Sequence, residues 1–320
     1  MDVGVYKLME KRLISFVIPC YRSEHTIRTV VDEIISVVQA KKDFDYEIIL
    51  VNDCSPDNVW NVIKTMSIEN SKIKGVSLSR NFGQQSAILA GYAQTTGTYV
   101  FSLDDDGQAP IESIFELIAK LDEGYDVVYA KYAEVKQNLF RRFGSYISRK
   151  MSQFCIGIPK NIRITSFFVA KQFIIKEMLK YNHPYPFLSG LVFRATKNVA
   201  CVTTNHRSRK EGKSGYTIKK LLSLWLSGFT AFSVKPLEIS TFIGGIFSVI
   251  GFIYAIIIVI KKIMGTITTA GWASIVCLLL IIGGIQMILL GLIGEYIGRI
   301  YICINNAPQY VVKETVGFEK

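Results

Sequence analysis

Three adjacent carboxylates, Asp104-Asp105-Asp106, follow the apolar run TYVFSL. Neighbouring negative charges repel unless a cation or hydrogen bonds compensate. Mg²⁺ and Mn²⁺ take oxygen ligands and are commonly held by one or two carboxylates together with substrate phosphates. Such a cation neutralises the charge that develops on a departing diphosphate. An acidic triplet alone is more often a solvated turn, but its place after a buried-strand pattern favours the chemical reading. A second cluster lies in HRSRKEGKSGY, residues 206–216, where Gly and Ser alternate with Arg207, Arg209, Lys210 and Lys213. A small-residue loop carrying cations suits phosphate binding. The alternative is a disordered basic surface loop, and His206 reads as structural.

The elements that must position these groups follow from periodicity. LISFVIPC (13–20) is a buried strand, and Ile27, Val30, Val31, Ile34, Ile35 and Val38 recur at helical spacing over 24–40. YEIILVND is a second strand and 57–68 a second helix; KGVSLSR is a third strand and 84–94 a third helix; TYVFSLDDD is a fourth strand. Strands alternating with helices imply a parallel, doubly wound α/β sheet. Ligands of such sheets bind beyond the carboxyl ends of the strands. Pro19-Cys20-Tyr21, Asn52-Asp53, Arg80-Asn81 and the acidic triplet all stand at such ends, and that convergence argues for one site.

The last third of the 320-residue chain differs in composition. Residues 239–260 and 272–294 carry no charge, and each exceeds the roughly 20 residues needed to cross a bilayer. They read as a transmembrane helical hairpin. Residues 216–232, apolar on most of their surface with Lys219 and Lys220 together, read as an interfacial helix. Residues 139–156, aromatics interleaved with Arg141, Arg142, Arg149 and Lys150, fit either an interfacial or a core-facing helix. The expected organisation is a catalytic domain over 1–215, an interfacial helix over 216–235, a hairpin over 236–298 and a tail over 299–320. No signal peptide precedes the first strand, so the domain and both termini are expected on the cytoplasmic side of the cell membrane. Lys261 and Lys262 in the outer loop run against the positive-inside tendency, while Arg299 and the basic domain agree with it. The net charge of +11 fits acidic partners. Cys20, Cys54, Cys155, Cys201, Cys277 and Cys303 form no C-x-x-C pair and read as reduced thiols.

The segments VIPCYRSE, VNDCSPD, LSRNFGQQSAILAGY and LDDDGQAPIE, in this order, resemble glycosyltransferase family 2. Within it they are most similar to the bacterial, membrane-anchored polyprenyl-phosphate transferases related to dolichol-phosphate mannose synthase. The resemblance covers about residues 13–235 and implies a GT-A catalytic domain, Rossmann-like with a mostly parallel sheet. It implies that Pro19, Tyr21 and Glu24 line the nucleotide pocket, and that Asp53 binds the base or ribose (N-D-x-S is also a good turn). Arg80, with Asn81 and Gly83, would lie near the donor. Asp104 and Asp106 fall on the acidic positions of a D-x-D motif and Gln108 on its following Gln; together they would hold Mg²⁺ or Mn²⁺ and the donor diphosphate. Asp105 departs from the usual small residue and takes no assigned role. Arg209, Gly212, Ser214 and Tyr216 fall on an R-x-x-G-x-S-K/Y segment in which Gly215 replaces Lys. Arg207, Arg209, Lys213, Ser214 and Tyr216 would contact donor or acceptor phosphate. Phe167-Phe168 replaces an acidic residue and a Phe-Arg pair.

The resemblance implies transfer of a sugar from a UDP- or GDP-sugar, UDP-glucose first, to polyprenyl phosphate with inversion. The acceptor is an anion at neutral pH, so no catalytic His is required. A homo-oligomer, a tetramer among its forms, and no nucleic-acid partner are expected. One alternative is extension of a lipid-linked glycan or cell-wall polymer. A processive synthase would also need Q-x-x-R-W, and Trp60, Trp225 and Trp272 are not in that context. Another alternative is a non-catalytic membrane scaffold. The lack of G-x-G-x-x-G after the first strand argues against a dinucleotide oxidoreductase.

Overall fold

The computed structural model describes residues 11–132, 158–184, 186–204, 271–304 and 307–318, with isolated positions between 153 and 264. The chain divides into two units, residues 1–217 with 307–320, and residues 218–306.

The first unit is built on one eight-stranded sheet. Its strands are β1 (Arg12–Cys20), β2 (Phe44–Asn52), β3 (Ile73–Leu78), β4 (Tyr99–Ser102), β5 (Val127–Tyr132), β6 (Phe168–Lys171), β7 (Val199–Thr204) and β8 (Val312–Val316). The spatial order is β7-β5-β6-β4-β1-β2-β3-β8. β6 runs antiparallel to β4 and β5, and β8 antiparallel to β3; the remaining pairs are parallel. The expected mostly parallel α/β sheet is present.

The physical cause is burial on both faces. The last seven residues of β1, and likewise of β2, are all buried. A strand covered on both sides reads as a continuous apolar run rather than an alternation. The helices α1 (Ile27–Gln39), α2 (Val59–Glu69), α3 (Gln84–Tyr92), α4 (Ile114–Asp122), α5 (Gln172–Leu179) and α6 (Leu188–Ala195) supply that cover. α1 buries Ile27, Val30, Val31, Ile34 and Val38, and partly buried Ile35 packs against the same core. At the centre Phe16 stacks on Phe101, centroids 5.4 Å apart, and Phe101 on Phe167 at 5.8 Å. Phe167 and Phe168 are thus core residues. Phe168 opens β6 and packs on Tyr129 at 5.0 Å.

Two findings extend the sequence reading. The segment after the apolar runs, expected only as a tail, contributes β8 to the sheet. The second apolar run is one helix, α7 (Trp272–Ile304), which continues past the expected end at 294 through Glu295 and Arg299. Side chains at many α7 positions lie outside the described set. Among the described residues no helix is long and apolar enough to cross a membrane. The described positions of 239–260, including Phe242, Ile246, Val249, Ile253 and Ile257, are helical and exposed. Residues 139–152 and the interfacial stretch 216–235 lie outside the described residues.

Candidate functional site

The strand ends gather the predicted residues as the parallel topology requires. Pro19 and Val51 are register partners, as are Cys20 and Asn52, so the turns after β1 and β2 leave the sheet side by side. β4 lies on the other side of β1, and Leu103 donates its N–H to the Val17 carbonyl. Asp104, Asp105 and Asp106 therefore emerge beside Tyr21.

The three carboxylates do different work. Asp105 turns back into the protein and accepts the Tyr21 N–H at 3.1 Å. Burial, with the adjacent charges of Asp104 and Asp106 adding, pushes its carboxyl up to about 6, against the lowering effect of that bond. Asp106 accepts the N–H of Gln108 at 3.1 Å. This short turn needs Gly107, whose φ of 71° lies in the left-handed region. It engages Gln108 through its main chain. Asp104 is held from two other elements: Gln84 Nε2 donates to its Oδ1 at 2.6 Å and Ser166 Oγ to its Oδ2 at 2.5 Å. Tyr132, at the end of β5, faces the same pair. Burial first, then the charges of Asp104 and Asp106, pushes its phenol up to about 12.

The residues expected around the nucleotide form a web of turn contacts. Asp53 accepts the N–H of Phe82 at 2.8 Å with one oxygen and that of Gly83 at 2.9 Å with the other. Its carboxyl is raised because burial outweighs these two bonds. Gly83 sits at φ 90°, a conformation that L side chains resist, and it starts α3. Asn81 Nδ2 donates to the Asp53 carbonyl at 3.3 Å. Glu24 Oε2 accepts the Asn58 N–H at 2.8 Å, and Asp57 returns the clamp by accepting the Glu24 N–H at 3.0 Å. Arg22, at φ 59°, donates its N–H to Ser55 Oγ at 2.7 Å. Pro19 is buried within β1, whereas the ring of Tyr21 is exposed. Arg80 lies over the Phe82 ring, 4.6 Å from its centroid.

Among the described residues no group of three or more His, Cys, Asp or Glu is placed to hold a metal. Two carboxylates are what a hard divalent cation needs when a diphosphate supplies further oxygens. The donor chemistry of Asp104 and Asp106 fits that arrangement, and Asp105, committed to Tyr21, stands outside it. His206, Arg207, Arg209, Lys213, Ser214 and Tyr216 lie outside the described residues. Sequence reading missed Ser166, Gln84 and Tyr132. Tyr132 carried a weak signal, as a polar residue at a strand's carboxyl end; Ser166 carried none.

The sheet order, the antiparallel β6 beside β4 and the acidic turn beyond β4 define the GT-A class of transferases. The chain belongs to glycosyltransferase family 2: residues 15–179 match the family described as glycosyl transferase family 2, and residues 235–300 match the GtrB C-terminal hairpin. It is 33% identical over 306 residues to the uncharacterized glycosyltransferase YkcC of Bacillus subtilis, covering 95% of this chain and 94% of that one. It is 32% identical over 310 residues to the undecaprenyl-phosphate 4-deoxy-4-formamido-L-arabinose transferase of Proteus mirabilis, covering 96% and 95%. Among solved structures it resembles glucosyl-3-phosphoglycerate synthase of Mycobacterium tuberculosis, determined with Mn²⁺, UDP-glucose and phosphoglyceric acid. That likeness, at TM-score 0.51 and 18% identity over 69% of this chain and 78% of that one, is one of fold.

Proposed function

We infer that the protein transfers a sugar from a nucleotide-sugar donor to polyprenyl phosphate at the cytoplasmic face of the cell membrane, with Mg²⁺ or Mn²⁺ at Asp104 and Asp106. The observation that carries this reading is the pair Asp104 and Asp106 beyond β4, beside the Tyr21 and Asp53 turns, in a chain matched over nearly its whole length by undecaprenyl-phosphate transferases. A divalent cation there would neutralise the charge that develops on the departing nucleoside diphosphate.

The protein's own residues position and bind. Tyr21, on a main chain held by Asp105, offers an exposed ring for the nucleotide. Asp53 sets the turn that begins α3, and Arg80 adds positive charge near the donor. Arg207, Arg209 and Lys213 would bind donor or acceptor phosphate, with Ser214 and Tyr216 beside them. The acceptor phosphate is already an anion and attacks the anomeric carbon as the diphosphate leaves. Positioning and charge neutralisation then account for the rate without a strong base.

Membrane anchoring is supported by the hairpin match and by the exposed apolar side chains at described positions of α7. Ile275, Leu278, Leu279, Ile282, Leu290 and Ile293 of α7 are all exposed, and soluble surfaces rarely carry large contiguous apolar patches. In the sequence, residues 272–294 carry no charge over more than the roughly 20 residues a bilayer crossing needs. β8 pairs with β3, so the chain after the apolar runs rejoins the catalytic sheet. An even number of crossings, two in the hairpin reading, satisfies that constraint.

The test is transfer in membranes from radiolabelled nucleotide sugars, UDP-glucose first, then UDP-N-acetylhexosamines, 4-substituted UDP-pentoses and GDP-sugars. Metal-dependent labelling of polyprenyl phosphate is expected, lost on chelation and restored by Mg²⁺ or Mn²⁺. Asp106→Ala should lower transfer roughly 100-fold or more. Full transfer by that variant contradicts the metal assignment. Labelling of preformed glycolipids but not of polyprenyl phosphate contradicts the acceptor.

A further inference from the structure

We propose that Gln84 and Ser166 are positioning residues for the donor-site metal: they clamp Asp104 so that its carboxylate presents one fixed geometry to the cation. The proposal rests on the reading of Asp104 as a metal ligand. Asp104 receives a hydrogen bond from Gln84 on one oxygen at 2.6 Å and from Ser166 on the other at 2.5 Å. Two donors from different directions define the carboxylate plane. Asp106 is held differently, through the main chain of its own turn.

Both donors stand on anchored backbone. Gln84 is the first residue of α3, and the preceding Gly83 N–H is bonded to Asp53 at 2.9 Å. The next residue, Gln85, accepts the N–H of Leu188 at 2.7 Å and so fixes the same turn to the start of α6. Ser166 lies between Thr165, whose hydroxyl donates to the Ala130 carbonyl at 2.8 Å, and fully buried Phe167. The side chains of Gln84 and Ser166 are themselves exposed, so truncating either leaves the core intact. Groups that orient a metal's ligands in this way typically change metal affinity 10–100-fold when removed. The clamp also joins the base-side turn at Asp53 to the acidic turn through one helix start.

The full chain in detergent is titrated with Mn²⁺, alone and with UDP, by the paramagnetic resonance signal of free Mn²⁺. Thermal unfolding and metal-free UDP binding are read on the same samples. Gln84→Ala and Ser166→Ala should each weaken Mn²⁺ binding roughly tenfold with unchanged Tm and unchanged metal-free UDP binding. Ser166→Thr, which keeps the hydroxyl, should restore affinity. Parental Mn²⁺ affinity in both single variants and in the double variant overturns the clamp. So does a loss that tracks a falling Tm and is not restored by Thr. A parent that takes up no Mn²⁺, or an Asp104→Ala variant that binds it as tightly, overturns the metal reading itself, and the clamp with it.

Discussion

Asp105 is the residue at which the acidic triplet departs from the small residue usual in the motif, and its contact gives the departure a use. Its carboxylate accepts the Tyr21 N–H and ties the turn after β1 to the turn after β4. Removing the acceptor of one such hydrogen bond costs about 0.5–1.5 kcal/mol. Asp105→Ala should therefore raise the donor KM several-fold with a smaller change in kcat. Asp105→Asn, which keeps an acceptor oxygen, should stay close to the parent. Steady-state kinetics over a range of donor concentrations distinguish the two. Phe167 and Phe168 illustrate the reverse. They replace an acidic residue and a Phe-Arg pair of the family pattern, and the structure uses both to fill the core beside Phe101 and Tyr129.

Glu47 shows how an element is held. It lies on β2 at the end of the sheet remote from the site, 4% exposed. It accepts bonds from Ser15 Oγ at 2.6 Å, Thr96 N–H at 2.6 Å and Lys74 Nζ at 2.8 Å. Burial opposes its ionisation, but Lys74, Ser15 and Thr96 outweigh burial and hold its carboxyl below the usual range. A carboxyl lowered in the folded state contributes stability above its unfolded value of roughly 4.3, and the contribution is lost as pH falls below that value. Chemical denaturation from pH 7 down to pH 3 should show this decline, and Glu47→Gln should flatten it. Glu47→Ala, which strands the donors of Ser15, Thr96 and Lys74, should cost about 3 kcal/mol at pH 7. The strands and helices around Glu47 were legible because covered strands must be apolar throughout and amphipathic helices repeat their burial every three or four residues. The ties between them were not, since a Ser, a Thr and a Lys on three other segments carry no periodic signal.

The whole molecule adds β8. Val312–Val316 pairs with β3 after the excursion through residues 218–306, and Glu314 accepts the Trp60 indole N–H at 2.9 Å and pairs with Lys64 at 2.5 Å. Gln309 Nε2 further donates to the carbonyls of Tyr181 and His183, each at 3.1 Å. Deleting residues 307–320 should lower the Tm of the detergent-solubilised protein by about 5 °C or more. Glu314→Ala, at an exposed pair, should leave the Tm close to that of the parent. In membrane vesicles an impermeant thiol reagent should reach exposed Cys54 and an introduced Thr315→Cys from the same side; labelling from opposite sides would contradict the β8 pairing.

The amino-acid sequence by itself determined the alternation of apolar strands and amphipathic helices, the uncharged runs at 239–260 and 272–294, and the place of the acidic triplet at a strand end. These are local consequences of what each segment must bury. Only the tertiary structure decided which acidic residue faces inward, which donors hold Asp104, and where the final strand goes. The Ser166–Asp104 contact spans 62 residues and the Trp60–Glu314 contact 254. Such pairs form because the parallel sheet brings its strand ends and edges together, and no spacing along the chain encodes them.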